Sequence, residues 1–235
     1  MNRRQFVRNA ALAVAAASSG LPGRDAAAQP ALETTRIRLV RVPAICVAPE
    51  YVAEELLRAE GFTDVQYVRR ESSADKARTL AAGEADITLN FAGPLILSLD
   101  ASNPIVVLAG IHVGCFELFA LDSIRTLRDL KSKVVAVPAT GSAEHVFLSS
   151  MLAYVGVDPR RDIRWINHSP AESVRLLTDG KDDGILAFPP LSQELRARKI
   201  GHVLVNSSTD RPWLQYFCCM VSANQEFVRK HPVAT

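Results

Sequence analysis

Residues 90–94 combine small residues with the expected start of a helix, which is an arrangement that binds anions. Asn90 is polar, Phe91 offers an aromatic wall, and Gly93 lets a ligand approach the backbone. A helix N-terminus presents about four unpaired N–H groups and about half a positive charge. Such a loop can therefore hold a carboxylate, sulfonate, nitrate or phosphate without a basic side chain.

A second loop of the same kind covers residues 140–143 and contains Thr140, Gly141 and Ser142. Taken alone, either loop is also compatible with an ordinary strand-to-helix turn. Because the two loops fall in different halves of the chain, we expect them to face each other as a pair. Neither half shows an Arg at a recognisable clamp position, so the chemical class of the anion stays open.

Motifs for catalysis are missing from the sequence. There is no G-x-S-x-G elbow, no G-x-x-x-x-G-K-[ST] phosphate loop, no G-x-G-x-x-G fingerprint and no H-E-x-x-H. We therefore predict no catalytic residue and no cofactor. The histidines lack the spacing of metal ligands and the cysteines lack C-x-x-C spacing, so we predict no metal site and favour buried thiols over disulfides. These residues are His112, His145, His168, His202 and His231, and Cys46, Cys115, Cys218 and Cys219.

The elements that must position the two loops follow from the hydrophobic pattern. Short apolar runs alternate with amphipathic segments, which is typical of strands and helices in an α/β fold. In the first half of the chain, strands are predicted at residues 37–42, 65–68, 86–89 and 105–109, and helices at 49–60, 73–83 and 94–99.

The same alternation restarts after residue 121 and indicates a second α/β lobe. No low-complexity linker separates the lobes, so ordered strands or crossovers must join them, near residues 117–121 and 213–221. A last helix is predicted to begin at Asn224. The second lobe has predicted strands at 133–137, 163–166, 185–188 and 203–205, helices at 142–155, 171–178 and 191–198, and the second link contains a β-prone run at 216–221.

The N-terminal residues have the features of an export signal. Arg3 and Arg4 precede a mild, Ala-rich apolar run, and Ala26, Ala27 and Ala28 supply the small residues that a signal peptidase needs. The run is shorter than the ~20 residues of a membrane span. We therefore expect residues 1–28 to be a twin-arginine signal peptide and the protein to be periplasmic.

Composition excludes several classes of protein. The chain has 27 Lys and Arg against 25 Asp and Glu, a formal net charge of +2. This balance argues against a nucleic-acid binder, which normally carries a clustered basic surface. The 48% apolar and 22% charged composition is that of a globular protein and excludes a disordered one.

Four segments of the chain carry a family resemblance. They are residues 37–46, 48–55, 80–87 and 106–110, and the phrase Ala-Ala-Gly-Glu-Ala-Asp-Ile in the third is the most specific. Together they resemble the periplasmic solute-binding proteins of ABC importers, in the group related to nitrate, sulfonate, taurine and thiamine-pyrimidine binding.

The resemblance implies a two-lobe periplasmic-binding-protein type II fold with two crossovers and a solute in the cleft between the lobes. It implies lobe 1 over residues 29–121, lobe 2 over 122–212, and a return crossover with the start of the C-terminal part of lobe 1 over 213–235. Ligands of open α/β sheets bind beyond the carboxyl ends of strands. Beside the two loops above, the cleft would then include Pro43, Cys46, His112, Gly114 and Phe188.

The resemblance also implies the partners. A monomer would capture a small anionic, sulfonate-like or pyrimidine-like solute and deliver it to a permease and ATPase complex, with lobe closure as the signal. Family members continue with several more helices that complete the first lobe. We therefore expect a C-terminally truncated chain whose lobe 1 exposes an apolar face and is poorly stable.

Two alternatives remain open. A pyrimidine synthase of the same fold carries pyridoxal phosphate on a lysine, although none of the six lysines here falls in a predicted cleft loop. A solute-sensing subunit that docks on a receptor would share the binding chemistry and differ only in its partner.

Overall fold

Lobe 1 starts from a pair of parallel strands. In β1 (Arg36–Arg41), the apolar side chains of Ile37 and Leu39 are buried while the residues at both ends are exposed. β1 pairs with β2 (Asp64–Arg69), so that Ile37 lies opposite Val65. The parallel direction brings the carboxyl ends of both strands to the same edge.

The computed structural model describes residues 30–42, 44–70 and 73–235. The predicted export signal at residues 1–28 and the predicted cleft residue Pro43 lie outside the described residues. Within the described chain, Leu32–Thr235 forms one compact unit that contains both lobes.

Three further strands complete lobe 1. β10 (Phe217–Asn224) lies between β3 (Ile87–Phe91) and β4 (Ile105–Val113) and runs antiparallel to both. Arg38 and Asp86 hold β1 beside β3: the Asp86 N–H donates to the Arg38 carbonyl at 2.8 Å, and the Arg38 guanidinium donates to the Asp86 carboxylate at 2.6 and 3.1 Å. The chain therefore leaves lobe 1 after β4 and returns to it in β10.

Lobe 2 is a single five-stranded sheet with the strand order β7-β6-β8-β5-β9. β6 is parallel to β7 and β8, whereas β5 is antiparallel to β8 and β9. The strands are β5 (Glu117–Ala120), β6 (Val134–Val137), β7 (Arg164–Asn167), β8 (Gly184–Ala187) and β9 (His202–Asn206).

The position of β5 differs from the prediction. We expected residues 117–121 to end lobe 1 and join the lobes, but β5 is an inner strand of the lobe 2 sheet with all four residues buried. The Arg196 guanidinium donates to the Glu117 carboxylate at 2.7 and 2.8 Å. A strand covered on both faces is nearly continuously apolar, so its sequence does not reveal which sheet it joins.

Eight helices occur in the described chain, and their positions follow the predicted alternation. The predicted helix at 49–60 divides at Ala53 into α1 and α2. The helices are α1 (Ala48–Val52), α2 (Glu54–Ala59), α3 (Ser73–Ala81), α4 (Ala92–Asp100), α5 (Ala143–Tyr154), α6 (Pro170–Thr178), α7 (Leu191–Arg198) and α8 (Gln225–Lys230).

One apolar cluster crosses from lobe 1 into lobe 2. It contains Val42 and Phe91 of lobe 1 together with Leu118, Val135 and Leu148 of lobe 2, all nearly or fully buried. Burial of apolar surface is the main favourable term in packing. The two lobes are therefore in contact along this cluster.

Lobe 1 carries most of the large apolar side chains that are exposed among the described residues. Three of them, Leu108, Ile111 and Val113, lie on the edge strand β4, and others lie on α1, α2 and α4. Exposed apolar side chains are thus concentrated in lobe 1. Among the described helices, none is long and apolar enough to cross a bilayer.

Candidate ligand-binding cleft

Aromatic side chains fill the contact between the lobes. The ring centroids of Phe91, at the end of β3, and Phe188, directly after β8, are 5.4 Å apart. Phe116 lies 6.0 Å from Phe91 and 5.7 Å from Phe188. These separations are typical of aromatic pairs. Two predicted cleft residues, Phe91 and Phe188, thus meet across the lobes.

The loop at residues 90–93 is closely packed. The buried Asn90 side chain donates from Nδ2 to Ser222 Oγ at 2.7 Å. A Cβ added at Gly93 would lie 3.1 Å from Cγ1 of Val146, so Gly93 allows α4 to approach α5 closely. In this arrangement Asn90 holds β3 to β10, and Gly93 serves the contact between the lobes.

The loop at residues 140–142 is more open. Thr140 is exposed, and Gly141 has a φ of +84° with open space where a Cβ would stand. The Gly141 N–H donates to Nδ1 of His145 at 3.2 Å. Burial lowers the pKa of His145, which agrees with an unprotonated Nδ1 that accepts this bond.

Ser142 begins α5 in the way its sequence predicts. Its side chain accepts a hydrogen bond from the His145 N–H at 3.3 Å, which caps the helix. The next residue, Ala143, donates its N–H to Oγ of Ser73 at 3.4 Å. Because Ser73 begins α3, the start of a lobe 2 helix faces the start of a lobe 1 helix.

A cavity of about 330 Å³ lies at the carboxyl ends of β6 and β8. It is lined mainly by apolar residues, including Pro138 and Phe188, with Glu144 as a buried acid. Oε2 of Glu144 has no hydrogen-bond partner within the described structure, and burial raises the pKa of its carboxyl group. Sequence reasoning missed Glu144, although an acid in the first turn of a helix after a cleft loop is a usable signal.

A second cleft of about 570 Å³ lies at the carboxyl ends of β1 and β2 and is lined by arginines. Its wall carries Arg41, Arg69 and Arg70, together with Tyr51 of α1 and Pro190 of lobe 2. We call it the arginine cleft. Guanidinium groups bind oxyanions through paired N–H donors, so this wall suits an anion.

The arginines of the cleft differ in their partners. Arg70 is ion-paired with Glu84 and donates to Oγ1 of Thr79 at 2.9 Å. Arg41 and Arg69 lie directly opposite each other in the β1·β2 register, and over the described residues neither has a carboxylate partner. The Arg41 guanidinium lies 5.2 Å from the centroid of the Tyr51 ring.

The arginine cleft brings together arginines that the sequence does not show as a pair. Arg41 and Arg69 belong to different strands, so only the parallel pairing of β1 and β2 brings them together. Tyr51 stabilises this edge, because its hydroxyl donates to the Val42 carbonyl at 2.5 Å and accepts from the Val42 N–H at 3.1 Å.

Cys46 and His112 are neighbours, as the predicted cleft requires: Nε2 of His112 lies 3.3 Å from the Cys46 carbonyl oxygen. The Cys46 thiol also meets the other three cysteines, and hydrogen bonds from Cys115, then Cys218 and Cys219, lower its pKa. All four cysteines are free thiols, of which Cys218 and Cys219 are buried and Cys46 and Cys115 half-buried.

Gly114 follows β4 and has a tight packing role. Its φ is +77°, and a Cβ there would lie 2.5 Å from Oγ of Ser208. Glycine is thus required for the link between the lobes to pass Ser208.

Seven of the predicted cleft residues form three groups. These are Phe91 and Phe188 in the aromatic contact, Cys46 and His112 beside the cysteines, and Thr140 to Ser142 at the start of α5.

Comparison with known proteins identifies the family. The model of the NMT1-like family matches residues 30–235. The chain belongs to the NMT1-like family. This confirms the predicted family resemblance. The NMT1-like chain is 27% identical over 182 residues to the taurine-binding periplasmic protein of Escherichia coli, a match that covers 77% of this chain and 56% of the relative.

Solved structures resemble the NMT1-like chain in fold. The alkanesulfonate-binding protein SsuA from Xanthomonas axonopodis pv. citri, bound to MOPS, matches with a TM-score of 0.67 and 20% identity, over 85% of this chain and 68% of that one. The periplasmic nitrate-binding protein NrtA from Synechocystis matches with a TM-score of 0.69 and 17% identity, over 87% and 59%. The two-lobe periplasmic-binding-protein fold is confirmed. The chain spans between a third and just over half the length of the curated relatives it matches.

Proposed function

We propose that this protein is the solute-binding component of an ABC importer and that it captures a small oxyanion, of the sulfonate or nitrate type, in the arginine cleft. The observation that carries the proposal is the opposed pair Arg41 and Arg69, which has no carboxylate partner in the described residues. The names of its relatives, which bind taurine, alkanesulfonates and nitrate, support the same class of ligand.

Electrostatics favour an anion between these arginines. Like charges directly opposite each other on paired strands destabilise the pair. A bound oxyanion removes that repulsion and accepts paired N–H donors from a planar guanidinium. Arg70 is already neutralised by Glu84, so it shapes the cleft while Arg41 and Arg69 supply the attraction.

The cleft residues predicted from the sequence do not themselves line the arginine cleft, although two of them lie beside residues that do. Cys46 lies next to Ile45, which lines the cleft, and Phe188 lies two residues before Pro190, which lines it from lobe 2. Movement of the lobes about their links would open and close these walls.

The proposed location is the periplasm, after export by the twin-arginine route, and the proposed partners are a permease and its ATPase. The relatives named as periplasmic binding proteins support this. We propose that the protein acts as a monomer, because one chain contains both lobes and the cleft between them.

The enzyme alternative requires a lysine that is free to bond a cofactor. Lys76 is fully buried, and its Nζ lies 3.5 Å from Oε2 of Glu50. Its ammonium group is therefore engaged within lobe 1 instead of facing the arginine cleft. Lys76 is therefore not available to bond pyridoxal phosphate.

A thermal-shift series on the full chain tests the proposal. Taurine, MOPS and nitrate are compared with an uncharged pyrimidine, and we expect at least one oxyanion to raise the melting temperature. The Arg41→Ala variant should weaken binding of that anion about 10- to 100-fold, because a hydrogen bond to a charged group contributes about 1.5–3 kcal/mol.

Arg36→Ala is the matched control, since Arg36 lies at the opposite end of β1 and pairs with Asp64. We expect it to bind the anion like the wild type. If no oxyanion stabilises the protein, or if both variants weaken binding equally, the proposal is wrong.

A further inference from the structure

All four cysteines of the chain meet in one place. Cys46 lies in the short 3-10 turn Ile45–Val47, Cys115 lies in the link after β4, and Cys218 and Cys219 lie in β10. Sγ of Cys219 lies 3.8 Å from Sγ of Cys218, and the thiols of Cys46 and Cys115 interact with this pair. Three separate parts of the chain thus bring their sulfur atoms to one point.

His112 adds a nitrogen to the same point. A ring nitrogen of His112 and the Sγ atoms of Cys218 and Cys219 all lie within 4.8 Å of one another. Cys218 and Cys219 are buried, whereas His112, Cys46 and Cys115 are half-buried. The cluster therefore has a dry inner side and a side through which an ion can enter.

We infer that His112, Cys218 and Cys219 form a binding site for a thiophilic metal ion of the Zn²⁺ class, and that the nearby thiol of Cys115 completes its tetrahedron. Sulfur-rich sites with an imidazole select zinc and similar soft ions over magnesium or calcium. This inference concerns a different set of atoms from the arginine cleft and does not depend on the anion proposed there.

The spacing of the sulfur atoms fits this ion. Sγ of Cys218 and Sγ of Cys219 are 3.8 Å apart. Zinc binds thiolates at about 2.3 Å in a tetrahedron, whose edge is then about 3.8 Å. A disulfide would require about 2.05 Å, so these two sulfurs have the separation of neighbouring metal ligands and not of a bonded pair.

The surroundings favour the thiolate form that a metal needs. Lys76 is a fully buried cation and interacts electrostatically with Cys219 and Cys46. Metal binding releases the thiol protons to solvent, so the coordinating sulfurs become thiolates whose charge the divalent ion offsets. Cys46 precedes Val47 in a turn that borders the arginine cleft, and an ion here would tie β4 and the link after it to β10 beside this turn.

Cobalt titration of the reduced full chain, under exclusion of oxygen, tests the inference. Co²⁺ replaces Zn²⁺ in thiolate sites and reports its ligands by colour. We expect one equivalent of Co²⁺ to give intense thiolate-to-cobalt charge-transfer bands and the visible bands of a tetrahedral ion, and we expect Zn²⁺ to remove both. Absence of charge-transfer bands, although four thiols remain titratable, would overturn the inference.

Variants assign the ligands. Cys218→Ser and Cys115→Ser should each reduce the charge-transfer intensity per cobalt and weaken Zn²⁺ binding by more than about tenfold. The half-buried Cys115 is included because its replacement disturbs packing least, and circular dichroism checks the fold of both. His168→Ala, in lobe 2 and away from the cluster, should bind as the wild type does. Equal spectra for the wild type and both folded cysteine variants would contradict the assignment.

Discussion

The two lobes share a strand plan but are stabilised differently. In each lobe an inner strand, β10 or β5, runs antiparallel to its neighbours and directly follows a link from the other lobe. Lobe 2 is held by apolar helix faces, with Leu148, Leu177 and Leu195 almost fully buried. Lobe 1 also buries apolar side chains but adds a fully buried ion pair, Glu50 with Lys76, whereas the buried Glu144 of lobe 2 has no ion-pair partner among the described residues. The same topology therefore does not require the same kind of interior.

The charged interior of lobe 1 centres on Glu50 of α1. Its carboxylate accepts from Oγ1 of Thr88 at 3.1 Å and from the Leu89 N–H at 2.9 Å, and Lys76 of α3 lies 3.5 Å away. Burial raises the pKa of Glu50 and lowers that of Lys76, while their mutual attraction acts against both shifts. Three elements of lobe 1 thus depend on one buried ion pair.

We expect the largest loss of stability from a substitution that breaks this ion pair. Lys76→Met leaves the Glu50 carboxylate buried without its cation, and it should lower the free energy of unfolding by about 3–5 kcal/mol. Denaturant unfolding measures the loss. Glu50→Leu combined with Lys76→Met serves as the control and should recover much of the stability, because no charge is left buried. A small loss in the single variant would show that lobe 1 does not rely on the pair.

A smaller effect is expected at the helix cap of lobe 2. Ser142→Ala removes the side chain that caps α5 and should cost about 1 kcal/mol of stability. Ser150→Ala, in the same helix and exposed, is the matched control and should change little. If denaturant unfolding finds the two variants equally stable, capping by Ser142 contributes nothing to lobe 2.

The smallest effect concerns pH and the buried acid of lobe 2. The raised pKa of Glu144 means that the folded protein holds this proton more tightly than the unfolded chain. Its contribution to stability is complete below the ordinary value of 4.5 and falls as the pH rises above it towards the raised pKa. Glu144→Gln should therefore lose less stability than the wild type above pH 4.5.

Melting temperatures over a pH series measure this difference. Glu194→Gln changes an exposed acid at the same cavity and is the control. An unchanged pH dependence in Glu144→Gln would show that the Glu144 carboxylate is solvated in the folded state.

Much of the fold follows from the sequence, because hydrophobic period is a local property. The strands β6 and β8 and the helices α5 and α6 lie close to their predicted positions. Ser142 is also predictable, since a capping serine acts on the residues that directly follow it. The assignment of β5 to lobe 2 is not local, because its neighbours β8 and β9 lie far along the chain.

The chemistry of the sites escapes sequence reasoning for the same reason. Arg41 and Arg69 become a pair only through the register of β1 and β2. Cys46 meets Cys218 only because β10 returns between two strands of lobe 1. Neither grouping has a spacing in the sequence that could indicate it.

The central claim is that the arginine cleft binds a small oxyanion. Isothermal titration of the full chain with taurine, MOPS and nitrate tests it most directly. The proposal predicts one-to-one binding of at least one of them, weakened by added salt because the attraction is electrostatic. Binding should weaken about 10- to 100-fold in Arg41→Ala and stay unchanged in Arg36→Ala. Titrations without heat for every oxyanion, or binding of wild-type strength in Arg41→Ala, would contradict it.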